Sequence, residues 1–375
     1  MWHRGRTAIW QGIHRLGLGP GDRVLAPAYA CGAEIEVLLR AGLDVSYYRI
    51  GPSLSPDMAH LEALCKAPAR ALFVIHYFGY PQPIRALSHF AEAHELLLIE
   101  DNTHGLYSTD EENTPLGSLG DMSVFSFHKT LPLPDGGGLV LNKAPQTDGA
   151  LWRARRPSIQ SQTVELIDML KADMMIRFPR TGAWVKSCIV ERLTRRNGRE
   201  TADDCGVDGE AIPSTPEEMQ MKIKQASWRM SSVARLLAHH ADHSSVIETR
   251  RRNFQLLDEA LRDRNGNRPL LRKLPRGCCP WLYPLWEEDP EGIVRFLAAR
   301  GVGSFRFWLA DHPAIPMAEF SFERKLKRHV VVLPLHQGLS QTTITEVAAL
   351  VNAWRSRAEQ ICGGETETVS EPISH

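Results

Sequence analysis

The chain carries no net charge: its 375 residues hold 44 Lys and Arg against 44 Asp and Glu. That balance gives no field to attract a polyanion, so neither nucleic acid nor an anionic membrane is an expected partner. Cysteine is sparse and odd in number. There are seven, with no Cys-x-x-Cys pair, and the adjacent Cys278 and Cys279 are poorly placed to bridge each other. Such usage excludes a disulfide scaffold and suits a reduced interior. Long apolar runs are missing as well. ALFVI, LLLI and VVVL are strand-sized and far short of a membrane span, and the opening MWHRGRTAIWQGIHRLG lacks the apolar core of a signal peptide. The expected location is the cytoplasm. Gly-x-Ser-x-Gly, Walker, EF-hand and dinucleotide fingerprints are all absent. His239 and His243 lie four residues apart with no third ligand beside them, so no metal site is expected.

What is present is alternation. The length suits roughly two domains at ~100–200 residues each. Between residues 1 and 143, short apolar runs at 23–29, 43–50, 71–78 and 96–101 alternate with helical patterns at 7–16, 34–41, 57–65 and 84–95. Unbroken apolar strands separated by helices predict an α/β fold, with a mainly parallel sheet covered on both faces. In such a sheet the site lies at the carboxyl ends of the strands. The chain from about 145 to 220 reads as a helical insert with a polar loop at 198–218. Residues 1–245 then form the large domain. A long helix from about Val246 leads into a smaller C-terminal α+β domain ending near residue 362, and 363–375 read as a disordered tail. The basic clusters at 152–157, 193–199 and 249–254 read first as solvated faces.

The stretch 123-SVFSFHKTLPLPDGGGLVL-141 places one lysine, Lys129, between a strand-like run and a segment of prolines and glycines. Either Lys129 reaches water from a surface loop, or a pocket needs an amine there. An amine held in a dry pocket becomes a nucleophile able to form a Schiff base. One strand earlier, 96-LLLIEDNTHGLYS-108 ends in Glu100 and Asp101, whose side chains point to opposite faces, with His104 a turn later. Pyridoxal phosphate chemistry needs such an amine and an acid held against the ring nitrogen. Lys129 and Asp101 suit those roles, although Asp101 also suits a turn cap. The phosphate needs a cradle. In 5-GRTAIW-10 a glycine and a hydroxyl open a helix, where free N–H groups attract anions, though Thr7 is equally readable as a plain N-cap. Ser126 is a second candidate phosphate ligand, and glycines 136–138 suit a close backbone approach to a cofactor.

Taken in order, 17-GLGPGDRVLAPAYACGAEIEVLLRAGLDV-45, 75-IHYFGYPQPI-84, 99-IEDNTHGLYS-108, 116-LGSLGDMSVFSFHKT-130 and 136-GGGLVL-141 resemble the DegT/StrS-type aminotransferases. These are pyridoxal-phosphate enzymes of fold type I that mostly aminate nucleotide-linked keto-sugars. The segments 250–261 and 333–347 also look like that family's small domain. The resemblance implies a seven-stranded type of sheet in the large domain and a homodimer. It makes Lys129 the lysine that holds the cofactor aldehyde, and Asp101 the partner of the pyridine nitrogen. It places His104 by the ring, Arg6, Thr7, Ala8 and Ser126 on the phosphate, and Cys31 where many members stack an aromatic. Arg229 and Arg306 are candidate anchors for a substrate carboxylate or phosphate.

Four departures accompany it. The chain begins almost at the phosphate loop, Cys31 replaces the aromatic, and the Ser126 to Lys129 spacing is short. In 226-ASWRMS-231, Ser227 stands where the family has an asparagine. The expected function is amino transfer from glutamate or glutamine to a keto or aldehyde acceptor, nucleotide-linked keto-sugars among them. A dehydratase or lyase on the same scaffold, and a non-catalytic regulator or scaffold, are the alternatives.

Overall fold

The computed structural model describes residues 1–143, 154–177, 219, 225–261, 270–271 and 273–363. Most of the expected insert, including the loop at 198–218 and the basic cluster at 193–199, lies outside the described residues, as does the expected tail from 364 onward. The chain opens with helix α1 (Gly5–Arg15), strand β1 (Arg23–Pro27), α2 (Ala33–Arg40), β2 (Asp44–Tyr48) and α3 (Met58–Leu64). Next come β3 (Ala71–Ile75), α4 (Ile84–Ala93), β4 (Leu97–Asn102), β5 (Met122–Ser126), β6 (Gly137–Leu141) and α5 (Ile159–Arg177). The C-terminal part contains α6 (Ser232–His239), α7 (His243–Leu261), β7 (Leu282–Trp286), α8 (Pro290–Ala298), β8 (Phe305–Arg306), α9 (Ser321–His329), β9 (Val330–Pro334) and α10 (Gln341–Gly363).

The first six strands form one sheet in the order β2-β1-β3-β4-β5-β6. Five run parallel and only β6 is antiparallel. The expected seven-stranded sheet therefore shows six strands among the described residues. Every residue of β3 is buried, as is β4 beyond Leu97, which is why these runs show no polar alternation. A second sheet, β7-β9-β8, is wholly antiparallel. Apolar side chains from both sheets join in one continuous core, each large one worth about 1.5–3 kcal/mol of burial.

Local chemistry sets several boundaries. Asp57 caps α3 by accepting from His60 N at 3.1 Å, and Ser231 caps α6 by accepting from Ala234 N at 3.1 Å. Asp242 accepts from Ser245 N at 3.0 Å, so α7 begins at His243, three residues before the helix start expected at Val246. The same break leaves His239 and His243 on different helices, so they do not share a face.

Gly136 and Gly138 pack against Phe127, and Gly137 serves a different neighbour from the cofactor expected there. A Cβ on Gly137 would overlap Arg4 O, and Trp2 and Gly137 exchange two backbone bonds of 2.7 Å. The chain's first residues are thus laid against β6. A charged clasp holds them. His3 is buried, with Nε2 3.1 Å from Glu165 Oε1 on α5 and Nδ1 3.8 Å from Asp135 Oδ2. Arg4 lies 3.8 Å from the same Glu165 oxygen, and Trp228 sets its ring edge-on to His3 at 5.2 Å. Burial acts most strongly on His3 and pulls its pKa down, as does Arg4, but Asp135 and Glu165 together raise it above the ordinary 6.5.

A histidine whose pKa is raised on folding stabilises the fold below the unfolded value and loses that contribution as pH rises through the folded one. The clasp is therefore complete below about pH 6.5 and weakens on the alkaline side. Urea midpoints of the wild type and His3→Gln should differ most at pH 5.5–6.5 and converge as pH rises. A gap that is constant with pH would show that His3 acts by packing alone.

Candidate active site

Strand β4 sorts its two carboxylates to opposite sides. Glu100 turns away from Lys129 and serves the frame. Its Oε2 meets His76 Nε2 at 3.1 Å and Gly117 N at 2.9 Å, while Oε1 accepts from Leu119 N at 3.0 Å and Gly120 N at 2.5 Å. Burial works to raise its pKa, but His76 and these amides outweigh it, so Glu100 stays ionised. Asp101 is also buried, with Oδ1 accepting from Thr103 N at 2.8 Å. Among the described residues no cation approaches it to ion-pair distance. Burial raises its pKa, with Lys129 partly offsetting the effect.

Strand β5 ends at Ser126, and one tight helical turn, Phe127–Lys129, carries the lysine over the carboxyl edge of the sheet. Lys129 Nζ lies 3.2 Å from His104 Nε2 and 4.8 Å from the centroid of the Trp281 ring. Trp281 in turn stacks on His104, with centroids 4.2 Å apart. Burial and then the Lys129 charge push the His104 pKa well below its ordinary value, so the imidazole is neutral. Its Nδ1 accepts from Phe78 N–H at 3.4 Å, and its Nε2 faces Lys129 Nζ.

Around this pair stand residues that the sequence left unread. Glu34, in the first turn of α2, is buried and accepts from Cys31 N at 2.7 Å. Burial and then the charge of Asp101 raise its pKa, while Lys129 acts in the opposite direction. Cys31 is inert as a nucleophile, because burial, with Glu34, pushes its thiol up to about 12. Lys327 on α9 is buried and bonds Ala310 O at 2.7 Å.

Arg250 corrects the reading of 249–254 as a solvated face. It is fully buried, and its guanidinium fork reaches Gln337 Oε1, Trp281 O and Thr130 O at 2.9–3.0 Å. Three well-placed acceptors make an arginine affordable there, and they tie α7 to the residue beside Lys129. Arg155 and Arg156, by contrast, are exposed.

The start of α1 borders the same edge. A Cβ on Gly5 would sit 3.2 Å from Thr103 Cγ2 and 3.8 Å from Ser126 Cβ, so the helix start, Thr103 and Ser126 converge. No side chain caps α1, and its first turn holds no acid but does hold Arg6, an arrangement that favours an anion. Thr7 is buried and its hydroxyl donates to Gln225 O at 3.4 Å, while Ala8 N bonds Arg4 O within the helix. The two arginines offered as anchors are not brought to the lysine. Arg306 pairs with Glu291 at 2.7 Å on the rim of the smaller sheet, and Arg229 is exposed, with its backbone bridged to Trp2. Ser227 lies buried beside α1's neighbour Trp228, and its carbonyl accepts from Arg155 N.

The donor set fits pyridoxal phosphate: a buried carboxylate and a helix start that have, among the described residues, no counter-ion and no side-chain cap, with an amine across from the first and a serine beside the second.

The architecture is that of solved sugar aminotransferases, whose fold this chain shares. CalS13, a sugar aminotransferase from Micromonospora echinospora, superposes with a TM-score of 0.61 at 19% identity, covering 94% of this chain and 86% of that one. Residues 3–166 match the model of the DegT/DnrJ/EryC1/StrS aminotransferase family, the family the sequence resembles. Among curated relatives, the spore coat polysaccharide biosynthesis protein SpsC of Bacillus subtilis is 28% identical over 136 residues, 36% of this chain and 35% of that protein. GDP-perosamine synthase of Vibrio cholerae is 28% identical over 141 residues, 37% and 38% of the two chains. The alignments span roughly a third to a half of such relatives' length, from 35% to 52%.

Proposed function

We propose that this chain is a pyridoxal-phosphate-dependent aminotransferase that moves an amino group from glutamate or glutamine to a keto or aldehyde acceptor, with a nucleotide-linked keto-sugar as the favoured acceptor class. The observation that carries the reading is the pairing of Lys129 with neutral His104 at the carboxyl edge, beside a buried Asp101 that has no counter-ion among the described residues. In this reading Lys129 holds the cofactor, Asp101 meets its ring nitrogen, and the start of α1 (Arg6, Thr7, Ala8) with Ser126 holds its phosphate. When bound, the cofactor supplies an electron-poor ring that stabilises the negative charge left when a proton leaves the donor's α-carbon.

The chain's own residues do the rest. Lys129, once its amine is free, takes that proton as a general base and returns it as a general acid. His104 orients the amine through Nε2, and Trp281 covers it against water. Asp101 stays ionised against a positive ring nitrogen because the ion pair outweighs its burial. The dehydratase reading is disfavoured by the lysine itself, since such enzymes on this scaffold usually replace it. A homodimer in the cytoplasm completes the proposal. Among the described residues no helix is long and apolar enough to cross a membrane.

The test is spectroscopic. Purified protein loaded with pyridoxal phosphate should show a cofactor band that shifts to the amine form on adding L-glutamate and returns on adding a keto acid. Protein that binds the cofactor but leaves the band unchanged with every amino donor tried would support the regulator reading instead.

A further inference from the structure

The bonds of Arg250 close a ring around Lys129. Its Nη2 donates to Thr130 O at 3.0 Å and its Nη1 to Trp281 O at 2.9 Å. Trp281 N–H donates to Phe78 O at 2.9 Å, and Phe78 N–H to His104 Nδ1 at 3.4 Å. His104 Nε2 then faces Lys129 Nζ at 3.2 Å, and Lys129 is bonded to Thr130, where the ring began. Gln337 braces it, accepting from Arg250 Nε at 3.0 Å and donating through Nε2 to Thr130 O at 3.1 Å.

Within this ring the guanidinium is the rigid member. It is planar, so binding Thr130 O and Trp281 O on its two terminal nitrogens fixes how far apart those carbonyls lie. Arg250 is buried and cannot swing into water without leaving them unpaired. The opposite side of the ring is constrained as well. Phe78 adopts φ 56°, a left-handed conformation that bulky residues rarely take, and both of its main-chain groups are committed to ring partners. The ring also joins two parts of the chain. Lys129, Thr130, Phe78 and His104 follow strands of the large sheet, while Arg250, Trp281 and Gln337 come from α7 and from residues flanking β7 and β9.

We propose that Arg250 is a positioning residue for Lys129. Through Thr130 it fixes the turn that carries the lysine, and through Trp281 it fixes the indole 4.8 Å from Nζ. The inference rests on the reading of Lys129 as the lysine that holds the cofactor. Misplacing a reacting group by 1 Å costs on the order of 10²-fold in rate, so loss of the fork should slow the reaction of the Lys129 amine.

The experiment reads that amine directly, without turnover. Cofactor-free full chain is mixed with pyridoxal phosphate and quenched with borohydride at intervals, and peptide mass spectrometry follows the adduct on each lysine. Arg250→Lys keeps the charge but gathers its donors on one atom, which does not reproduce a planar fork spanning three acceptors. Below its melting midpoint this variant should form the Lys129 adduct about ten- to a hundredfold more slowly than wild type. Gln337→Leu, at a half-buried position, removes only the brace and should slow it by less. Lys66 and Lys325 are exposed and should react at wild-type rates throughout, as internal standards. A purely structural role would lower the melting midpoint and leave the Lys129 rate of the folded protein unchanged. A wild-type Lys129 rate in folded Arg250→Lys, or in Gln337→Leu where Arg250→Lys does not fold, therefore overturns this inference alone. A wild type that forms no adduct at Lys129 overturns the reading of Lys129 itself, and the inference with it.

Discussion

Lys129→Ala should fold normally and lose amino transfer by a factor on the order of 10⁴ to 10⁶, the scale seen when a covalent nucleophile is removed from a preorganised site. Stability should change little, because Lys129 is only half-buried and His104 keeps both Trp281 and Phe78 N–H after the truncation. The decisive measurement is chemical rather than kinetic. Borohydride reduction of the cofactor-loaded wild type should fix the cofactor to one lysine, and peptide mass spectrometry should find the adduct at Lys129. The alanine variant should release its cofactor on denaturation. An adduct at Lys327, which is buried on α9, would move the whole assignment across the site.

The reason to expect Lys129 rather than Lys327 lies in their partners. Lys327 donates to a main-chain carbonyl and lies 3.6 Å from Asp311, so it has structural work and a counter-ion. Lys129 has a neutral imidazole and an indole face beside it, and among the described residues no carboxylate at ion-pair distance. The two environments differ in the way that separates a structural cation from a nucleophile.

The elements up to β4 were legible because apolar runs alternating with amphipathic stretches admit few other folds. Asp101 and Lys129 stand out in the sequence because charged residues at the ends of buried strands require an explanation. Arg250 does not. A run of three arginines looks like a solvated face until the acceptors are known, and Thr130, Trp281 and Gln337 come from segments far apart in sequence. Glu34 was hidden for a similar reason. On a helix it reads as an ordinary first-turn acid, and only the placement of α2 over the site buries it near Asp101. Trp281 reads as the start of a strand, and its stacking on His104 depends on how the second sheet meets the first. The glycines 136–138 misled in the other direction. They read as room for a cofactor, whereas Arg4 occupies the space at Gly137 and Phe127 that at Gly136 and Gly138.

Asp101→Asn should separate stability from activity. Asparagine keeps the size of the side chain and an oxygen to accept from Thr103 N, so the packing of β4 survives. Burial raises the Asp101 pKa above its ordinary 3.8, which means that folding disfavours the carboxylate. A carboxyl raised on folding contributes stability at low pH and withdraws it as pH rises past 3.8. At pH 7 the cofactor-free wild type therefore carries a buried charge at a cost, and the asparagine variant escapes it. Urea denaturation of cofactor-free protein should give the variant a midpoint equal to or above the wild type at pH 7, with the difference vanishing near pH 3. Amino transfer should move the opposite way, falling on the order of 10³-fold, because a neutral amide cannot hold a proton on the ring nitrogen. A variant that keeps its activity within tenfold would remove Asp101 from the ring nitrogen. A variant less stable than wild type at pH 7 would mean that the carboxylate already has a partner in the cofactor-free protein.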